Sequence, residues 1–343
     1  MHHLSDKALG RLKSIVAIPD FSETRYRVLE KIGEGGMGMV FRAVDHKLGR
    51  KVALKVLDAS GQENELAGRM RQEARIIANL EHPGIIPIHD IGILPDGSVY
   101  YAMKLVHGDR LDAYRRKHEN LPELLRIFEK ICETVAFAHA HDIIHRDLKP
   151  ENIMVGAFGE VLVMDWGLAK ILSDEKADPA CQKDGHQVRN GSHNEAFQPI
   201  DLTETLHGAV LGTPSYMAPE QENGEIEKID QRTDVFSLGA ILAFLIDARS
   251  TAGKPGRKQN TNNAFMNDQV PNAPKRRKIH RHLASICHKA MSLAKENRYA
   301  NAQELALDIE RFLDGLPVSA YRDNLLERIW RWLARYKFLI FIV

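Results

Sequence analysis

The chain has 343 residues, 44% hydrophobic and 27% charged, with a formal net charge of +1 at neutral pH. That length can bury one large core or two smaller ones, and the balanced charge leaves no polyanion footprint, so no nucleic-acid partner is expected. The three cysteines Cys132, Cys181 and Cys287 stand far apart without C-x-x-C spacing, which points to a reducing compartment and away from zinc or a disulfide framework.

Residues 1–24 read as an N-terminal extension whose opening Met1-His2-His3 lacks the apolar stretch of a signal peptide. From Arg25 to Ile32 apolar and polar residues alternate loosely. A cluster follows, Gly33-Glu34-Gly35-Gly36-Met37-Gly38-Met39-Val40, after which Phe41, Ala43 and Val44 resume a strand pattern. The segment therefore reads as a hairpin with glycines at its tip, where the missing Cβ lets backbone N–H groups approach a triphosphate. Gly33, Gly35 and Gly38 also satisfy a dinucleotide-binding spacing. That fold needs a helix directly after the glycines and an acidic residue further on, whereas here a strand follows and then Val52-Ala53-Leu54-Lys55.

Arg69 to Leu80 reads as a helix, with Glu73, Ile76, Ile77 and Leu80 at i, i+3, i+4 and i+7, so that one carboxylate lies beside an apolar stripe. Ser98 to Met103 reads as a strand, and Lys104 to His107 as a connector. In Leu121 to His141, the residues Leu124, Phe128, Ile131, Val135 and Ala138 step at helical period and predict a core helix. His139 and His141 at its end point in different directions, which favours structural roles over metal ligation.

The run His145-Arg146-Asp147-Leu148-Lys149-Pro150-Glu151-Asn152 is followed by Asp165-Trp166-Gly167. It supplies an acceptor for a hydroxyl proton, a cation for a phosphoryl oxygen, and two oxygen ligands suited to Mg²⁺. The run matches H-R-D-L-x-x-x-N, Asp165-Trp166-Gly167 stands where D-F-G is usual, and Val52-Ala53-Leu54-Lys55 matches the strand lysine motif. Over roughly residues 25–315 the chain thus resembles the eukaryotic-like, bacterial-type serine/threonine protein kinase family.

The resemblance implies an α+β, two-lobed fold: a mainly β lobe over about 25–103, a hinge at 104–107 and a mainly α lobe over 108–315. It implies an ATP-dependent phosphotransferase using Mg²⁺, with Mn²⁺ as a substitute, acting on Ser or Thr of proteins. Asp147 is then the base, Lys149 the cation at the transferred group, and Asn152 and Asp165 the metal ligands. Lys55 holds the nucleotide phosphates and pairs with Glu73. Nucleotide contacts are expected from Gly33, Glu34, Gly35, Gly36, Met37, Gly38, Val40, Ala53, Met103 in the gatekeeper position, Lys104, Val106 and Met154. Asp234 matches the buried aspartate that braces the catalytic loop, and Arg298 matches the arginine that pairs with Glu220. A scaffold that binds nucleotide without transfer usually lacks the strand lysine or a carboxylate, and all are present here.

Lys149 after Leu148, and Thr213 in Gly212-Thr213-Pro214, point to Ser or Thr as acceptor. Trp166 departs from the usual phenylalanine, and its ring is expected between the Glu73 helix and the catalytic loop, against Ile77, Ile88 and His145. The segment between Lys170 and Leu211 is long, with few large apolar residues over 173–199. A phosphate there, with Thr203 and Thr205 as candidates, is expected to pair with Arg146, and the resemblance admits a homodimer for trans-autophosphorylation. Arg249 to Lys278 is polar and divergent where substrate docking is common. Helical spacing resumes over Arg281 to Met291 and Ala302 to Leu313.

In the tail, residues 316–343, Leu325, Leu326, Ile329, Trp330 and Leu333 share a helical face, with Arg328, Arg331, Arg335 and Lys337 around it. The closing Phe338-Leu339-Ile340-Phe341-Ile342-Val343 falls short of the roughly 20 apolar residues of a membrane span. The expectation is a cytoplasmic chain, brought near the inner face of the cytoplasmic membrane through the beginning of a span or an interfacial anchor. The alternative is a helix packed on the catalytic body.

Overall fold

The computed structural model describes residues 19–35, 38–57, 74, 76–166, 170–171, 215–246 and 281–322. The chain divides into two compact units, the first running to His107 and the second from Gly108 onward with His82–Gly84 included.

The first unit is built on an antiparallel sheet of β1 (Tyr26–Gly35), β2 (Gly38–Asp45), β3 (Arg50–Leu57), β4 (Ile88–Ile93) and β5 (Val99–Lys104), in the order β1-β2-β3-β5-β4. Strand β3 is buried from Val52 to Leu57, so its near-continuous apolar run has packing on both faces. Val52, Leu54 and Val56 enter a core with Phe41, Tyr100 and Ala102. The alternate residue Leu57 joins Ala74, Val99 and Tyr101. Period-two alternation thus puts Lys55 on the second face of the sheet. Of the predicted Arg69–Leu80 helix, Ala74 and residues 76–78 are helical, Asn79 is a turn, and the chain has left the helix at Leu80. Ile76, Ile77 and Leu80 are buried, while Glu73 lies outside the described residues.

Gly38 shows why a glycine is needed at the hairpin. Its φ is +119°, and a Cβ there would stand 2.2 Å from the Val56 carbonyl oxygen. Both the conformation and the close approach to β3 exclude a side chain.

The second unit is mainly helical. Its centre is α2 (Leu121–Ala140), which buries Leu124, Phe128, Ile131, Val135 and Ala138 as the spacing predicts. Ahead of it come β6 (Gly108–Arg110) and α1 (Leu111–Lys117). After it come β7 (Ile143–Ile144), β8 (Ile153–Gly156), β9 (Val161–Val163) and β10 (Lys170–Ile171). These form a β6-β8-β9 sheet and a β10-β7 pair. Then follow α3 (Pro219–Glu222), α4 (Gln231–Ile246), α5 (Arg281–Ala290) and α6 (Ala302–Leu313). Every residue of α4 from Thr233 to Ala243 is buried, and at Gly239 a Cβ would stand 2.7 Å from the Ala290 Cβ, so α5 crosses close to its backbone. Helix α6 starts where Asn301 Oδ1 accepts from the Glu304 N–H at 3.0 Å.

Past α6 the chain is fastened back onto it. The buried Asp308 carboxylate accepts from the Ser319 N–H and hydroxyl, both at 2.7 Å, from the Ala320 N–H at 3.1 Å and from the Tyr299 hydroxyl at 2.8 Å. Burial works to raise the carboxyl pKa, and these donors outweigh it and leave it below the usual carboxylate value. The exit of the chain at 318–320 is therefore tied to the second unit. Among the described residues no helix is long and apolar enough to cross a membrane. Residues 323–343, with the tail's apolar face and basic residues, lie outside the described residues.

Candidate active site

In the second unit, the turn between β7 and β8 brings the motif residues together. Asp147 Oδ2 accepts from Lys149 Nζ at 2.6 Å and from Asn152 Nδ2 at 3.2 Å, and Asn152 Nδ2 also donates to the Asp147 carbonyl at 2.9 Å. Asn152 closes a single 3₁₀ turn begun by Pro150, whose fixed φ suits the first helical position. That turn folds the Asn152 amide back over the aspartate.

The loop backbone is held from beneath. Asp234 on α4 is fully buried, and its carboxylate accepts from the His145 N–H at 2.8 Å, the Arg146 N–H at 2.9 Å and His139 Nε2 at 2.9 Å. Because a carboxylate only accepts, His139 presents a protonated Nε2, and among the described residues its Nδ1 has no hydrogen-bond partner. Burial pushes the Asp234 pKa up, but the hydrogen bond and charge of His139, with the His145 amide, bring it below the ordinary value.

Among the described residues three carry positive φ without being glycine, Asp142 at 60° in the turn after α2, Arg146 at 69° and Asp165 at 63°. Such conformations are held by surrounding contacts and recur at functional sites. At Arg146 the backbone is held on both sides of the Cα, since its N–H goes to Asp234 and its carbonyl accepts from Gln221 Nε2 at 2.7 Å.

His145 links the loop to the strand that precedes Asp165. Its Nε2 donates to the Met164 carbonyl at 3.0 Å, which leaves Nδ1 to accept from the Asp147 N–H at 3.3 Å. The ring packs on Trp166 with centroids 4.6 Å apart, and Trp166 is fully buried with Nε1 donating to the Val163 carbonyl at 3.3 Å. The expected contact with His145 is therefore present.

In the first unit, the register sets Val40 opposite Lys55 and Ala53 opposite Met103. Val40, Ala53, Lys55 and Met103 consequently share one face of the sheet. Lys55 is buried, with its ammonium 5.6 Å from the Tyr101 ring centroid. Gly33 and Glu34 on β1 pair with Val40 and Met39, and Lys31 Nζ meets Glu34 at 2.7 Å. Lys104 ends β5 and is exposed, and Val106 is half-buried. Met154 lies on β8, opposite Arg110. Gly36, Met37, Glu73, Thr203, Thr205 and Thr213 lie outside the described residues.

Glu220 and Arg298 form a bidentate pair at 2.8 and 2.9 Å, with the Thr233 hydroxyl donating to Glu220 at 2.8 Å. Despite burial, the Arg298 and Thr233 donors hold the Glu220 pKa below its ordinary value. Residue spacing alone missed Gln221 and the partnership of His139 with Asp234. Gln221 carried no signal beyond standing next to Glu220, and His139 carried only its place on the buried side of α2.

The donor set suits a hard cation. Asn152 turns its amide nitrogen toward Asp147, which leaves its carbonyl oxygen as a ligand atom, and Asp165 adds a carboxylate. Mg²⁺ commonly takes one or two such protein oxygens and completes its shell with phosphate and water.

A pinned carboxylate with an ammonium and an amide beside it is an arrangement suited to phosphoryl transfer. The protein kinase domain family matches residues 26–308, and the chain belongs to it. It is 37% identical over 309 residues to the serine/threonine-protein kinase PknD of Protochlamydia amoebophila (strain UWE25), covering 84% of this chain and 30% of that protein. It is 35% identical over 311 residues to the PknD of Chlamydia felis (strain Fe/C-56), covering 85% and 31%. With the PknD of Chlamydia trachomatis serovar L2b (strain UCH-1/proctitis) it shares 34% over 321 residues, covering 89% and 33%. The chain spans about a third of the length of these curated relatives.

Proposed function

We propose that this chain is an ATP-dependent serine/threonine protein kinase. The Ser or Thr hydroxyl oxygen forms a bond to the γ-phosphorus, the bond from that phosphorus to the β,γ-bridging oxygen breaks, and ADP leaves. The hydroxyl proton passes to the Asp147 carboxylate. Lys149 faces the transferred group, and Lys55 orients the nucleotide phosphates. The other nucleotide contacts are those assigned above from the family motifs. Asn152 and Asp165 would hold Mg²⁺, which when bound neutralises phosphate charge. One observation carries the reading: Asp147 is fixed at once by Lys149, Asn152 and the His145 ring, on a loop whose backbone is anchored to a buried carboxylate. A loose transition state asks the protein mainly for such positioning and fixed charge.

The retained Lys55, Asp147, Asn152 and Asp165 favour transfer over a nucleotide-binding scaffold. The domain boundaries at 25 and 315, autophosphorylation within 173–213 on Thr203 or Thr205, trans-action in a homodimer, use of Mn²⁺, and membrane proximity through 324–343 belong to the same proposal. They rest on the sequence pattern.

The test uses radiolabelled ATP and Mg²⁺ with wild type, Asp147→Asn and Lys55→Met, followed by phosphoamino-acid analysis. Loss of the base is expected to lower turnover by about 10²–10⁴. Equal labelling by all three proteins would refute the assignment, and phosphotyrosine alone would overturn the acceptor.

A further inference from the structure

We infer that Gln221 is a positioning residue for phosphoryl transfer, which holds the Arg146 peptide from its carbonyl side and so aims Asp147. This rests on the kinase reading above. Its Nε2 donates to the Arg146 carbonyl at 2.7 Å while its Oε1 accepts from the Ala218 N–H at 3.2 Å. The two contacts fix the amide orientation, because a carbonyl cannot donate and an N–H cannot accept. Glutamate keeps the second contact and loses the first, and methionine keeps neither.

The side chain is presented by a rigid element. Its neighbour Glu220 is clamped by Arg298 through two hydrogen bonds and by Thr233 through a third. On the other side, Arg146 holds a φ of 69°, a conformation that costs energy for a residue with a Cβ and lasts only while its surroundings enforce it. Asp234 enforces it through the N–H, and Gln221 through the carbonyl. The next residue is Asp147, so a rotation of the peptide between them swings the carboxylate away from the acceptor hydroxyl. Gln221 also ties the segment that ends at Ala218 to the catalytic loop.

The test compares wild type, Q221M and Q221E as full chains. kcat and KM for ATP and a Ser/Thr peptide are measured from pH 8 to pH 5.5, with kcat expressed per ADP-binding site counted by titration. Q221M is expected to lose about tenfold in kcat per site, with KM for ATP altered by less than about twofold. Q221E is expected to lose more at pH 8, where a carboxylate oxygen faces the Arg146 carbonyl. It should recover relative to wild type as the pH falls and the protonated acid regains a donor. The charged and titratable groups on the elements that meet here are His145, Arg146, Asp147, Lys149 and Glu151 of the loop, Glu220 and Glu222 of α3, Arg232 and Asp234 of α4, His139 of α2, and Arg298. All are present in wild type and Q221M, so the ratio removes their titration.

Wild-type kcat per site in both variants would overturn the inference, as would a loss fully explained by fewer ADP-binding sites. Those results leave the kinase reading intact. A wild-type protein without phosphotransfer would refute that reading and this inference together.

Discussion

Asp234→Asn removes charge from the centre of the catalytic loop's support while keeping the side chain's shape. In the native protein one carboxylate oxygen serves both His139 Nε2 and the His145 N–H, and the other serves the Arg146 N–H. An asparagine can keep one oxygen on Arg146, but its NH₂ then faces the His145 N–H, and a buried backbone donor is stranded. A hydrogen bond to a charged group contributes about 1.5–3 kcal/mol, and a stranded buried donor costs about 1–3 kcal/mol, so the variant should lose roughly 2–4 kcal/mol. At about 2–4 °C per kcal/mol for a chain of this size, the melting temperature should fall by about 5–15 °C. Urea unfolding followed by tryptophan fluorescence from pH 7 to pH 3 gives the second reading. The folded Asp234 pKa lies below its ordinary value. Its contribution is therefore complete above the unfolded pKa of about 3.9 and is lost as the pH falls through the lower folded value. The stability gap between wild type and variant should accordingly narrow below about pH 4. A gap under about 0.5 kcal/mol at pH 7, or one that widens in acid, would refute the account of Asp234 as an ionised brace.

Arg298→Met should cost about 3–5 kcal/mol by leaving the Glu220 carboxylate buried without its cation, while Glu220→Leu with Arg298→Met should recover part of that loss; chemical denaturation of wild type and the two variants measures both. Trp166→Phe should lose about 1–2 kcal/mol through the smaller ring and the missing indole donor to Val163, read as a shift in urea midpoint at unchanged slope. Gly38→Ala should lower the melting temperature and raise KM for ATP, because a Cβ there meets the Val56 carbonyl oxygen at 2.2 Å in a backbone of φ +119°.

Much of this arrangement is legible in the sequence because it is local. Strand β3 alternates two apolar faces, which is enough to place Lys55 opposite the core of Val52, Leu54 and Val56. The apolar period of 121–141 marks the buried side of α2, and the eight-residue run from His145 to Asn152 forms its own carboxylate-ammonium-amide cluster within a single turn. The left-handed backbone at Arg146 is a different matter. Its supports come from Gln221, 75 residues further on, and from Asp234, 88 further on, while His139 reaches Asp234 across 95 residues. Two of these contacts end on backbone atoms, which every residue carries and which therefore leave no mark in side-chain pattern or spacing. Chain-local chemistry chose the groups proposed to react. Only the packing of α2, α3 and α4 around one loop decided which distant side chains hold those groups still, since hydrogen bonds between remote segments exist only once the segments meet.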